Sequence, residues 1–176
     1  MRPRLSVAKL LFASNLVLIA ALVAVAAPQL PTKSKLPFAV RSLAGLDRVE
    51  VRVGQWKQVP AEVDLNAAII KAAWEERLVA AGFELDQGHD VPMLDLRVIV
   101  LTNPKVPNAL TLRALLTLKQ HVHVKRIDKE LWLPTWSGLY IDLTPKSEIG
   151  VEIQGMSDQL IEEFIYRTEL ASWHQE

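Results

Sequence analysis

The chain reads as an α+β fold: a two-layer sandwich ordered β-α-β-β-β-α, with a four-stranded mixed sheet carrying two helices on one face. Three observations predict it. Four segments alternate apolar and polar residues with the period of a strand, and two segments repeat apolar residues every three or four positions, as a helix does. Each helix has one apolar stripe and each strand one apolar face, so the economical packing is a single helical layer on a single sheet.

The first strand is LDRVEVRV, from Leu46, with Val49, Val51 and Val53 on one face and Arg48, Glu50 and Arg52 on the other. The first long helix follows in DLNAAIIKAAWEERLVAAG, with Asp64 expected as N-cap and Gly82 just past the C-terminus. Its stripe is Ala67, Ile70, Trp74, Leu78 and Ala81. Gln87 to Asp90 (QGHD) is a turn. MLDLRVIVLT is the second strand, facing inward with Leu94, Leu96, Val98 and Val100, and Asn103 to Asn108 breaks it. A long third strand is expected from Leu110 to Lys125, and Asp128-Lys129 marks the turn after it. ELWLPTWSGLYIDL is the fourth strand, bent or bulged at Pro134 because proline cannot donate to a central ladder. From Lys146 to Ser172 the helical period returns, with Ile149, Ile153, Met156, Leu160 and Phe164 as its stripe. The helical crossover makes strands one and two parallel, and the short turns make the later neighbours antiparallel. One sheet face is left uncovered.

Ahead of this domain, Arg2, Arg4 and Lys9 precede the uncharged run Leu10 to Ala27, which includes Leu16, Leu18, Ile19 and Leu22. Positive charge on its N-terminal side directs the following residues out of the cytoplasm. Ala24-Val25-Ala26 has the form of a cleavage site, and Leu10 to Val23 the length of a signal core. The whole run, about 18 residues or roughly 27 Å of helix, also suffices to cross a bilayer. The reading adopted is a retained single-pass anchor in the inner membrane, with the domain on the periplasmic side. Segment 28–45, opening with PQLPTKSKLP, is expected to be a proline-stiffened tether, and 46–176 the extracytoplasmic domain.

Half of the 176 residues are apolar and 23% are charged, which excludes a disordered chain. There is no cysteine, which rules out disulfides, thiolate metal sites, a cysteine nucleophile and a lipid-bearing cysteine. Setting aside the three basic residues of the leader leaves seventeen Lys and Arg against twenty Asp and Glu. Such a balance does not suit nucleic acid, whose phosphates demand concentrated positive charge. No G-x-S-x-G, P-loop, dinucleotide glycine motif or H-E-x-x-H occurs, so neither an enzyme nor a cofactor is expected.

KQHVHVKR carries the candidate site residues. Strand alternation puts Arg113, Lys119, His121, His123 and Lys125 on the face opposite the helices, together with Arg48, Arg52 and Arg97; Glu50 and Asp95 are the acids expected there. A basic face on an acidic domain suits an acidic partner, or anionic lipid headgroups. Imidazoles at i and i+2, as in His121 and His123, could chelate a metal if Asp95 or His89 supplied a third ligand, although the flanking lysines oppose a cation. Trp132 and Trp136 are candidate aromatic anchors for a partner, weighed against packing at the strand bend and edge.

The element order, carried by VEVRV, ERLVAAGFEL, MLDLRVIVL, LTLRALLTLKQHVHVKR and QLIEEFIYRTELA, resembles the α/β sandwich of the lipopolysaccharide-assembly lipoprotein and is similar to auxiliary lipoproteins of lipid-transporting ABC systems. Those proteins carry a lipidated cysteine after the signal and this chain has none, so the apolar N-terminal run stands in as anchor. Two functions follow from the whole reading. One is a non-enzymatic accessory subunit that docks on a membrane protein complex or envelope-assembly partner through its sheet face or edge. The other is a periplasmic carrier of lipid or another small ligand.

Overall fold

The computed structural model describes residues 36–54, 66–102, 105–106 and 108–173. In chain order they form α1 (Phe38–Arg41), β1 (Arg48–Val53), α2 (Ala67–Ala80), β2 (Glu84–Leu85), β3 (Met93–Thr102), β4 (Ala109–Val124), β5 (Lys129–Pro145), a 3-10 turn (Lys146–Glu148) and α3 (Ile149–Trp173). The expected class holds, and the expected elements occur in their expected order with two additions, α1 and β2, so that the sheet has five strands rather than four. Its order is β2-β1-β3-β4-β5, with β1 parallel to β2 and β3, and antiparallel pairing beyond. The added strand, β2, matches only Glu84 and Leu85 with Arg48 and Val49, which is too short to carry a period.

Backbone chemistry explains how α2 hands over to β2. Asn66 caps the N-terminus, its Oδ1 accepting from the Ala68 N–H at 2.9 Å; Asp64, expected in that role, lies outside the described residues. At the other end Gly82 takes φ +91°, the left-handed conformation that a Cβ would penalise. Phe83 N–H then bonds Leu78 C=O at 2.9 Å and Gly82 N–H bonds Val79 C=O at 3.0 Å, the paired bonds of a Schellman ending. The chain reverses there and drops Phe83 into the core.

The core lies between the sheet and the helices. Trp74, Leu78, Ile153 and Phe164 come from the helices, and Leu94, Leu96, Leu112, Leu116 and Leu118 from the sheet; all are fully buried. Phe164 packs against Phe83 at 5.8 Å and edge-on against Trp136 at 5.4 Å between ring centroids. Arg77 of α2 pairs with Asp158 at 3.2 Å and Glu162 at 3.1 Å of α3, at the surface of the helical layer.

The core begins earlier than the sequence reading places it. Leu36, Val40 and Leu43 are buried, and Ser42 Oγ donates to Thr135 C=O at 3.1 Å. Residues 36–45, expected in the tether, therefore belong to the domain: a proline-rich approach does not prevent one apolar helical turn from docking. Among the described residues no helix is long and apolar enough to cross a membrane. The expected anchor, Leu10 to Ala27, lies outside the described residues.

The β4–β5 pairing shifts by one residue near the proline. Leu118 faces Trp136 but Lys119 faces Pro134, leaving Thr135 as the extra residue of a bulge. Gly138 lies on the helix side two residues later, where a Cβ would come 3.0 Å from both Leu160 Cδ2 and Trp136.

Truncating Trp74 or Phe164 to alanine should cost about 3–5 kcal/mol in urea unfolding, the range for large buried aromatics. Gly138→Ala should cost about 1–3 kcal/mol through overpacking alone. A Gly138→Ala protein as stable as the wild type would mean that Leu160 yields its place freely.

Candidate functional site

The uncovered sheet face can be read as rows, because antiparallel pairing sets residues side by side. Leu101, Thr111 and Leu143 form one end row; Ile99, Arg113 and Ile141 form the next; then come Arg97, Leu115 and Leu139. Asp95, Thr117 and Ser137 follow, with Arg52 beside Asp95, and then Met93, Lys119 and Pro134, with Glu50 beside Met93. Past the end of β3 the hairpin continues alone, with His121 opposite Trp132 and His123 opposite Glu130.

The face is therefore divided in two. At its charged end the strand cations Arg48, Arg52, Arg97 and Lys119 are all paired with carboxylates of the described residues. The Asp95 carboxylate, nearly buried, accepts from Arg97 Nε at 3.1 Å and Lys119 Nζ at 3.0 Å. Arg52 pairs with Glu50 at 2.7 Å and Arg48 approaches Asp86 at 3.9 Å. His121 Nε2 lies 3.7 Å from Asp90, while His123 has Glu130 at 3.0 Å on Nδ1 and Asp128 at 3.4 Å on Nε2. The expected basic face is corrected accordingly: strand alternation predicts which residues share a face, but carboxylates from the turns and from β5 also reach it. Lys125 falls in the turn after β4, beyond the strand expected to hold it.

The candidate metal pair, His121 with His123, gains no third ligand among the described residues. The two imidazoles take different carboxylates, Asp95 is held by two cations, and His89 sits in the turn after β2. Among the described residues no group of three histidine or acidic side chains could hold a metal ion. The two tryptophans separate. Trp136 is buried on the helix side against Phe164, the packing role weighed for it in the sequence. Trp132 is on the open face, edge-on to His121 at 4.2 Å, and helps to line an open cleft of about 340 Å³ with Glu50, Arg52, Gln87, His89 and Met93.

The opposite end of the face is aliphatic. Leu101, Leu139, Ile141 and Leu143 are 48%, 52%, 59% and 63% exposed, with Ile99 and Leu115 half-buried among them. Exposed Arg113 stands in the middle row and makes no ion pair with any described residue. Apolar side chains gathered this densely on an open sheet face are unusual for a surface facing only water. The sequence contained the signal: in GLYIDL, Leu139, Ile141 and Leu143 alternate with Tyr140 and Asp142, and phasing that strand from Trp136 puts the aliphatics on the uncovered side.

On the helix side of β5, Glu152 is held above the usual carboxylate range. Loss of solvent is the first cause, followed by a hydrogen bond with Asp142 and by the charges of Asp142 and Glu148. A raised carboxyl pKa means that the folded state holds the proton more tightly than the unfolded chain. Stability gained from that proton therefore grows as pH falls through the folded pKa.

No protein-family model and no curated protein matches the chain. Among solved structures it is similar to rare lipoprotein B of Shewanella oneidensis, with 12% identity and a TM-score of 0.39 over 68% of this chain and 91% of that one. It is also similar to a minor lipoprotein of Acinetobacter baumannii, with 16% identity and a TM-score of 0.34 over 69% and 91% of the two chains. Both are lipoproteins, as are the proteins named in the resemblance read from the sequence.

Asp95→Ala should cost about 1–2 kcal/mol, since two cations lose a shared carboxylate, whereas Arg52→Ala at an exposed pair should cost less than about 1 kcal/mol. Glu152→Gln should raise the melting temperature at pH 7, and the gain should vanish below about pH 4, where carboxyls are protonated in both states. A gain that persists unchanged at low pH would exclude the charge explanation.

Proposed function

We propose that the chain is a non-enzymatic accessory subunit, held at the periplasmic face of a membrane, that docks on a membrane protein complex through its uncovered sheet face. The observation that carries this reading is Arg113, without an ionic partner among the described residues and set among Ile99, Leu101, Leu115, Leu139, Ile141 and Leu143. An arginine framed by aliphatic side chains is the composition of an interface hot spot: the apolar surround excludes water and the guanidinium selects an acidic or carbonyl-rich counterpart. The paired charges at the other end, with Lys119, His121, His123 and Trp132, form a polar margin to that centre. Lys125, in the turn beyond the strand, belongs to the same margin. The apolar leader and the sequence resemblance to envelope-assembly lipoproteins support the location.

The test is co-purification of the full chain from its own host in mild detergent, comparing wild type with Leu101→Glu and Arg113→Glu. A stoichiometric protein partner is expected with the wild type. Its recovery should fall about tenfold or more in each variant, as for hot-spot residues, with the melting temperature nearly unchanged. Undiminished recovery would move the docking surface elsewhere. Lipid in place of protein in the wild-type eluate would favour the carrier reading. Charge reversal at Lys119 is the weaker probe, because it also breaks the Asp95 pairing.

A further inference from the structure

The outer edge of β5 has two unlike halves. From Lys129 to Thr135 it carries Lys129, Glu130 and Pro134, and α1 reaches Thr135 through Ser42. Charge, proline and a covering helix are the devices that keep an edge from pairing. From Gly138 to Thr144 the edge has no proline and no lysine, and its open-face side chains are the exposed Leu139, Ile141 and Leu143. Among the described residues no strand pairs with that side of β5.

We infer that this half-edge pairs antiparallel with the same segment of a second copy, about a two-fold axis at Ile141, joining two five-stranded sheets into one of ten. The sequence fits itself in this register. Leu139 stands opposite the second copy's Leu143, Ile141 opposite Ile141, and Leu143 opposite Leu139, so six aliphatic side chains close on one face. On the other face Tyr140 lies opposite Asp142 of the second copy, a phenol donor against a carboxylate, and Gly138 lies opposite Thr144. Inward- and outward-pointing backbone groups alternate along an edge, so a two-fold pairing must centre on a residue and cannot centre between two. Moving the axis to Asp142 sets two carboxylates face to face, which opposes pairing. Moving it to Leu139 sets Ile141 against Ser137 and Leu143 against Thr135, which breaks the aliphatic match. Centred on Ile141, the ladder ends where Ser137 meets Pro145, which has no N–H to donate. The buried area, about 300–600 Å² from the exposed aliphatics, falls below the roughly 1,200–2,000 Å² of stable interfaces, so the dimer is weak and concentration-dependent.

The chain has no cysteine, so single replacements report the register directly. Full chains carrying Ile141→Cys, Leu139→Cys or Leu143→Cys, in mild detergent at roughly 100 µM, are oxidised gently and resolved by non-reducing electrophoresis. Facing Cα atoms in a ladder lie about 4.5–5.5 Å apart, within disulfide reach. Positions four residues out of register lie about 14 Å apart and out of reach. Ile141→Cys should therefore cross-link to itself, while Leu139→Cys and Leu143→Cys stay monomeric alone and cross-link when mixed. Circular dichroism checks that each variant folds. Equal cross-linking of all three would indicate random collision and overturn the inference, as would no cross-linking of folded Ile141→Cys. Because no other protein takes part, the outcome is separate from whether Arg113 docks on a membrane complex.

Discussion

The structure depends on the seat of Phe164. Its ring meets Phe83, delivered by the Schellman ending of α2, and Trp136, delivered by the strand just past the bulge. One side chain of α3 thus fixes the end of α2, the start of β2 and the middle of β5 at a single point. The bulge at Thr135 is what makes that possible. Without the extra residue, side-chain alternation carried on from Pro134, which lies on the open face opposite Lys119, would turn position 136 outward. Gly138 completes the seat by letting α3 approach closely enough for Leu160 to lie against the strand.

Much of this was legible from spacing alone. The alternation of valines in β1 and leucines in β3 and β4 reports burial on one face, and the stripe Ile149, Ile153, Met156, Leu160 and Phe164 reports the face of α3. These are long periodic signals, and tertiary packing had nothing to override. What was not legible depends on contacts distant in sequence. β2 exists because the α2 ending aims two residues at β1. Leu36, Val40 and Leu43 join the core because a groove awaits them, and a proline-rich stretch carries no sign of it. Trp136 changes sides because of a one-residue register shift that the presence of Pro134 suggests but does not place.

The open face illustrates how charge composition misleads when position is ignored. Counting basic residues by parity gives a positive surface, yet nearly every cation there has a carboxylate within reach, some from turns that period-based reading leaves unassigned. Asp95 is the clearest case: a strand residue of the open face, it is drawn nearly out of solvent by Arg97 and Lys119. What remains distinctive is Arg113, which has no ionic partner among the described residues, and the aliphatic surface around it. Function on this face is therefore better sought where the rows become apolar than where they are most charged.

The unequal reach of the strands also sets an order of events in time. β4 and β5 are neighbours in sequence joined by a short turn, and such a hairpin closes in roughly 1–10 µs. β1 pairs with β3 through only Glu50 to Val53, and only after α2 and the turns between them have been laid down. The chain thus acquires its C-terminal ribbon early and its β1 flank late, and the late flank is the one that opens first when the native state fluctuates. Amide exchange should accordingly divide the sheet down its middle, slow in the Leu112 to Leu118 stretch and fast at β1 and β2. The transiently bare edge of β3 is the surface most in need of protection during that interval.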